Sequence, residues 1–120
     1  MTLTEFLNAR LDEDEAVARD AYYDGQRWST EEEAVVSMDQ DLDPVLFMDR
    51  KRDATHAARW SPARVLAEVE AKRRLVERHE FALSARVDAR PGVAEVLSGV
   101  VRLLALPYAD HPDYDEAWRP

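Results

Sequence analysis

Apolar residues recur every three or four positions along three long stretches of this chain, a periodicity that commits most of it to amphipathic helix. The first stretch carries Leu3, Phe6, Leu7, Leu11, Val17, Ala18, Ala21 and Tyr22. It opens on Thr2-x-x-Glu5, a capping box whose two side chains can satisfy orphan amide donors at a helix start. Gly25 is a natural stop, because a left-handed residue costs glycine little, so a helix is expected from about 3 to 23. The second stretch begins most sharply: Ser61 suits an N-cap, Pro62 the first helical position, and Trp60 can staple onto Val65. Val65, Val69, Val76 and Leu83 then mark a stripe to about residue 87. The third stretch begins at Pro91 and runs through Val93, Val96, Leu97, Val100, Val101, Leu103 and Leu104. Only Glu95, Ser98, Gly99 and Arg102 interrupt it, so this helix is expected to be the central and most buried element.

Between the first two helices, Ala34-Val35-Val36-Ser37-Met38 and Val45-Leu46-Phe47-Met48 are short and β-prone, joined by the turn-rich Asp39 to Pro44. They read as a hairpin, and Thr55-His56-Ala57-Ala58 is a candidate third strand, since a lone hairpin is marginal in water. The expected class is therefore α+β: mostly helical, three main helices, with a β-hairpin or small antiparallel sheet between the first and second. A tail with Tyr108, Tyr114 and Trp118 is expected to pack back onto the rest.

A chain of 120 residues is expected to form one domain, residues 1–120, with enough buried surface for a core. It has no cysteine, so neither disulfides nor a catalytic or metal-binding thiolate enter the reading. The start lacks the basic and apolar regions of a signal peptide, and no apolar run approaches the roughly 20 residues of a membrane span. A cytoplasmic protein without a membrane partner is expected. The net charge of −9 divides unevenly, with −10 in residues 1–50, +4 in 51–90 and −3 in 91–120. Acidic and basic elements folding against each other would produce this, as would a basic ligand surface.

On a helical wheel, the arc of Leu7, Leu11, Ala18 and Ala21 has Asp14 at its centre and Arg10 one turn earlier. The stripe of the second helix, at positions 65, 69, 72, 76, 79 and 83, includes Lys72 and His79. Buried charge is costly unless paired, so these groups should meet partners or water. One reading is a structural ion-pair network of Asp14 with Arg10 and with Lys72 or His79. The other is a polar pocket, with Asp14, His56 and His79 as acid–base candidates and Arg10, Asp14, Lys72 and His79 as ligand contacts.

Weaker patterns fail on inspection. Asp39-x-Asp41-x-Asp43 resembles the start of a calcium loop, but Pro44 and Arg50 stand where glycine and a bidentate glutamate are needed. Glu77-x-x-Glu80 and Glu31-Glu32-Glu33 invite comparison with magnesium-dependent pyrophosphohydrolases, but that chemistry needs carboxylates converging from facing helices, and here Glu31 to Glu33 fall in an expected loop while Glu77 points away from the apolar stripe. His111, in Asp110-His111-Pro112-Asp113, reads as part of an exposed turn rather than a metal site. The basic residues Lys72, Arg73, Arg74, Arg78, Arg86 and Arg90 are interleaved with acids, as in Glu68–Lys72 and Glu70–Arg74, which marks a solvated face and not a nucleic-acid surface. No glycine-rich elbow or phosphate cradle exists, and no cofactor is expected.

The run from His56 to Arg74, the run Leu103-Leu104-Ala105-Leu106-Pro107-Tyr108-Ala109-Asp110-His111-Pro112-Asp113-Tyr114, the closing Trp118-Arg119-Pro120 and Leu11-Asp12-Glu13-Asp14-Glu15 together resemble a family of small uncharacterised actinobacterial and actinophage proteins. The resemblance implies a host range and a mobile-element setting, and no activity. Some members carry cysteines where this chain reads Phe81 to Pro91 with none, so a metal role in those relatives would not transfer.

With the catalytic patterns failing, the leading expectation is a non-enzymatic interaction or regulatory protein with an unidentified protein partner, phage- or prophage-linked, with a homodimer left open. Two alternatives stand beside it: a ligand-binding protein or hydrolase using the polar site, and an acidic decoy, through residues 12–15 and 31–43, for a nucleic-acid-binding protein.

Overall fold

The computed structural model describes residues 1–21, 28–31, 34–37, 44–47, 49–84 and 92–120, with 29–31, 34–37 and 44–47 as backbone only. Among the described residues there are four α-helices: α1 (Leu3–Asp20), α2 (Lys51–Arg59), α3 (Pro62–Ser84) and α4 (Val93–Ala105). Of the residues described with their side chains, 79% are helical and none adds a sheet layer, so the class is all-α. The expected α+β class is thereby corrected.

The physical reason lies in the short β-prone runs. Backbone strands β1 (Trp28–Glu31), β2 (Ala34–Ser37) and β3 (Pro44–Phe47) are each only four residues long. They pair antiparallel in the order β1-β2-β3, with Ala34 opposite Phe47 and a register shift between Val35 and Val36. Strands of about 13 Å cannot form a layer to which the long helices are subordinate, so the hairpin expected from 34–38 and 45–48 does not set the class. Thr55 to Ala58, the candidate third strand, lies in α2 instead. The three alanines of α2 favour helix, and Asp53 in its first turn and Arg59 in its last interact favourably with the helix dipole.

The helix starts follow local chemistry. The amide of Thr2 donates to Glu5 Oε2 at 2.7 Å, and the amide of Glu5 donates to Thr2 Oγ1 at 3.2 Å, closing the capping box. The Val65 amide donates to the Ser61 carbonyl at 3.0 Å, the first turn of α3. Helix α4 starts after Gly92, whose φ of 90° suits a residue without a Cβ. Gly25, the expected stop of the first helix, lies outside the described residues.

By its contacts the chain divides into two units: residues 1–13 with 69–120, and residues 14–68. The core of the first holds Phe6, Leu7, Leu11, Val69, Val76, Val101, Ala105 and Tyr114. Asp12 accepts from Arg73 at 2.7 Å and links α1 to α3 within this unit. The tail closes back onto Phe6 through Tyr108, Ala109, Tyr114 and Trp118, as its aromatics suggest. The second unit contains the strands, with α2 packed against β1 and β2. Its described side chains include the buried Ala18, Ala54 and Ser61, and the Arg64 guanidinium stacks 4.1 Å above the half-exposed Trp60 ring.

Helix α4 is not the most buried element. Val101 and Ala105 are inside, but Val93, Val96 and Leu103 are exposed. The expectation failed because an all-round apolar helix can be wrapped by its own chain or left with one face for something else.

Candidate functional site

Arg10 is a buried charge of the first unit, and it is held from two directions. Its Nη2 donates to Glu13 Oε1 at 2.8 Å, one turn along α1. Its Nη1 reaches His111 Nε2 in the tail, and its guanidinium lies 5.4 Å from the centre of the Phe6 ring. Arginine offers only donors, so this contact needs the His111 Nε2 lone pair. On its other side, His111 Nδ1 lies 3.1 Å from the Asp113 amide and 3.9 Å from the Asp113 carboxylate. A neutral ring has one nitrogen lone pair, so Arg10 and the Asp113 amide compete for it.

Three polar atoms are buried with no hydrogen-bond partner among the described residues: Arg10 Nε, His79 Nδ1 and the Tyr114 hydroxyl. Arg10 and Tyr114 both border the Phe6 ring, with Tyr114 edge-on at 5.7 Å. Lys72 and the buried His79 lie in the same unit as Arg10, whereas Asp14 and His56 belong to the other. Asp14 and Lys72 are half-buried, and His56 is exposed on α2 with its ring 6.3 Å from that of Trp60. Sequence reasoning missed His111 as the partner of Arg10, since nothing local joins residues so far apart in the chain.

The weaker patterns are also placed. Glu77 and Glu80 are exposed on α3, and Glu70 accepts from Arg74 at 2.9 Å, a solvated helix-face pair. Asp39 to Asp43 lie outside the described residues. Among the described residues no three His, Asp or Glu side chains converge to hold a metal, and no helix is long and apolar enough to cross a membrane. At the start of α2, Arg50, Lys51, Arg52 and Thr55 line a shallow surface groove.

The second feature is the outer face of α4. At 100° per residue, Val96, Gly99 and Leu103 fall opposite the buried Val101 and Ala105. Val96 is 68% exposed and Leu103 57%, and Gly99 between them has no neighbour within 4 Å of where a Cβ would stand. Glu95 and Arg102 follow one edge of this face, and Val93 and Val100 the other. Arg102 Nη1 also donates to the Ala117 carbonyl at 3.1 Å. The signal was present in the sequence: positions 93, 96, 100 and 103 form one helical stripe, and 94, 97, 101 and 105 form a second.

The model of a family of unknown function, DUF6221, matches residues 1–120. The chain belongs to that family. No curated protein and no solved structure matches it. Membership of DUF6221 extends over both units and the tail, and brings no activity with it. The actinobacterial or phage origin implied by the sequence resemblance is not part of that finding.

Proposed function

We propose that this DUF6221 protein is a non-enzymatic interaction module that docks a protein partner through the outer face of α4. One observation carries the reading: Val96 and Leu103, both large and apolar, are 68% and 57% exposed on the same side of one helix. Each side chain of this size gains roughly 1.5–3 kcal/mol on full burial, so a partner that covers the face is favoured by the hydrophobic effect alone. Two large apolar side chains exposed on one face of one helix fit an interaction site better than apolar residues scattered singly over a surface do. The reading includes a cytoplasmic setting and a phage or prophage link, the latter resting on the sequence resemblance.

The test uses dilute purified protein and the doubly substituted Val96→Glu, Leu103→Glu chain. The native chain should bind an apolar dye, and the variant should bind markedly less while its unfolding midpoint stays unchanged. A variant that loses stability as a core substitution does would show the face is covered within the chain and sink the proposal.

Small-ligand binding at the buried side chains of Arg10 or His79 is a second reading, supported by a nitrogen on each that has no hydrogen-bond partner among the described residues. Native mass spectrometry of the purified chain checks it. A co-purifying molecule lost on His79→Ala would favour this reading over docking.

A further inference from the structure

We infer that the partner of the α4 face is a second copy of this chain, paired antiparallel about a two-fold axis beside Gly99; this rests on the docking reading above. The argument starts from the two unlike edges of the face. Glu95 and Arg102 form a charged edge, and Val93 and Val100 an apolar one. A two-fold axis parallel to the helices would set each charged edge against the apolar edge of the other copy. A two-fold axis perpendicular to them brings like edges together and reverses the chain direction. Glu95 then stands beside Arg102 of the second copy, and the same contact is made again by symmetry. The apolar edges meet on the other side, where Val93 and Val100 leave water together.

The register follows from the same residues. An axis between Gly99 and Val100 places Val96 opposite Leu103 of the second copy, and Leu103 opposite Val96. This is the self-complementary contact that a two-fold dimer requires. Gly99 lies at the crossing point, with open space where its side chain would be, so the two backbones can approach closely. Antiparallel helix dipoles also oppose each other favourably. A helix of 13 residues is about 20 Å long, so its pairing buries less than a standard interface and the dimer should be weak, with Kd in the micromolar range or above.

The absence of cysteine makes the geometry directly readable, because one introduced cysteine reports one position. In the antiparallel dimer, Gly99→Cys should form an intermolecular disulfide under mild oxidation. Val93→Cys should not, because its two copies stand about 20 Å apart along the axis. Equal cross-linking at both positions would overturn the antiparallel arrangement. Sedimentation of the full chain over a concentration series supplies a second measure. Glu95→Arg should weaken association about tenfold, and adding Arg102→Glu should bring it back.

The failures are distinguishable. A chain that stays monomeric to millimolar concentration overturns self-pairing. If that monomer also tolerates Val96→Glu without loss of stability, the docking face survives with another occupant. If the monomer is destabilised by Val96→Glu, the docking reading falls with it.

Discussion

The guanidinium of Arg10 meets Nε2 of His111, 101 residues further along the chain, and so ties the middle of α1 to the tail. This contact matters because the Arg10 side chain is only 9% exposed, while its carboxylate partner Glu13 is 62% exposed and well solvated. Removing His111 leaves a buried donor group short of an acceptor, a cost of about 2–3 kcal/mol. Removing Glu13 takes away a screened partner and should cost less than about 1 kcal/mol. Chemical denaturation of His111→Ala and Glu13→Ala should therefore rank them in that order. Arg10→Met, which keeps the packing and discards the charge, should be close to neutral. A Glu13→Ala variant that proves the more damaging would contradict this assignment of the partners.

Helix α4 should tolerate charge on one side and reject it on the other. Leu103→Lys is expected to shift stability by less than about 0.5 kcal/mol in dilute solution, as an exposed substitution does. Val101→Lys buries an unpaired charge and should prevent folding or cost at least several kcal/mol. Circular dichroism melts of the two variants make the comparison. Similar losses in both would mean that the outer face is packed.

What could be read from the sequence divides by distance along the chain. The Thr2–Glu5 box and the Ser61–Pro62 start depend on residues within one turn of each other, and both helices begin there. The tail aromatics announced their docking because Tyr114 and Trp118 have few ways to bury their rings other than against a core. Arg10 is different. A wheel places it on the apolar face of α1 but cannot say that a histidine near the opposite end of the chain will meet it. Helix α4 failed for another reason: burial within the chain and burial by a partner leave the same apolar pattern. Thr55 to Ala58 was ambiguous because β-branched threonine and helix-forming alanine sit side by side, and the helix won.

The capping box should give a pH signature at the start of α1. Hydrogen bonds from the Thr2 amide and hydroxyl hold the Glu5 carboxylate below its usual value. A depressed folded-state pKa means the contribution is complete above the unfolded-state value and disappears as pH falls through the folded-state value. The first turn of α1 should therefore fray only in acid below the ordinary glutamate range. NMR titration of the Glu5 carboxyl checks this, and Thr2→Ala should move its midpoint upward. Glu116, held down by the Arg119 side chain, should titrate low in the same way, and Arg119→Ala should release it. A midpoint for Glu5 that does not respond to Thr2→Ala would rule out the Thr2 hydroxyl as a cause and leave the Thr2 amide, which alanine retains, as the group that holds the carboxylate down.

Tyr114 offers a sharper test of whether the buried polar groups serve the fold or a ligand. Its ring packs edge-on against Phe6 and Trp118, each with centroids 5.7 Å away, and its hydroxyl is buried without a partner among the described residues. Losing the ring through Tyr114→Ala should cost about 3–5 kcal/mol, as for other large aromatic truncations. Losing only the hydroxyl through Tyr114→Phe should be neutral or stabilising by up to about 1 kcal/mol, because an unpaired buried hydroxyl contributes desolvation cost and no bond. Thermal denaturation of the two variants separates ring from hydroxyl. Should Tyr114→Phe instead lose more than about 1 kcal/mol, the hydroxyl must be bonded in solution to something absent from the polypeptide. An ordered water or a small ligand beside Arg10 would then be the group to find, and the balance would move from docking toward ligand binding.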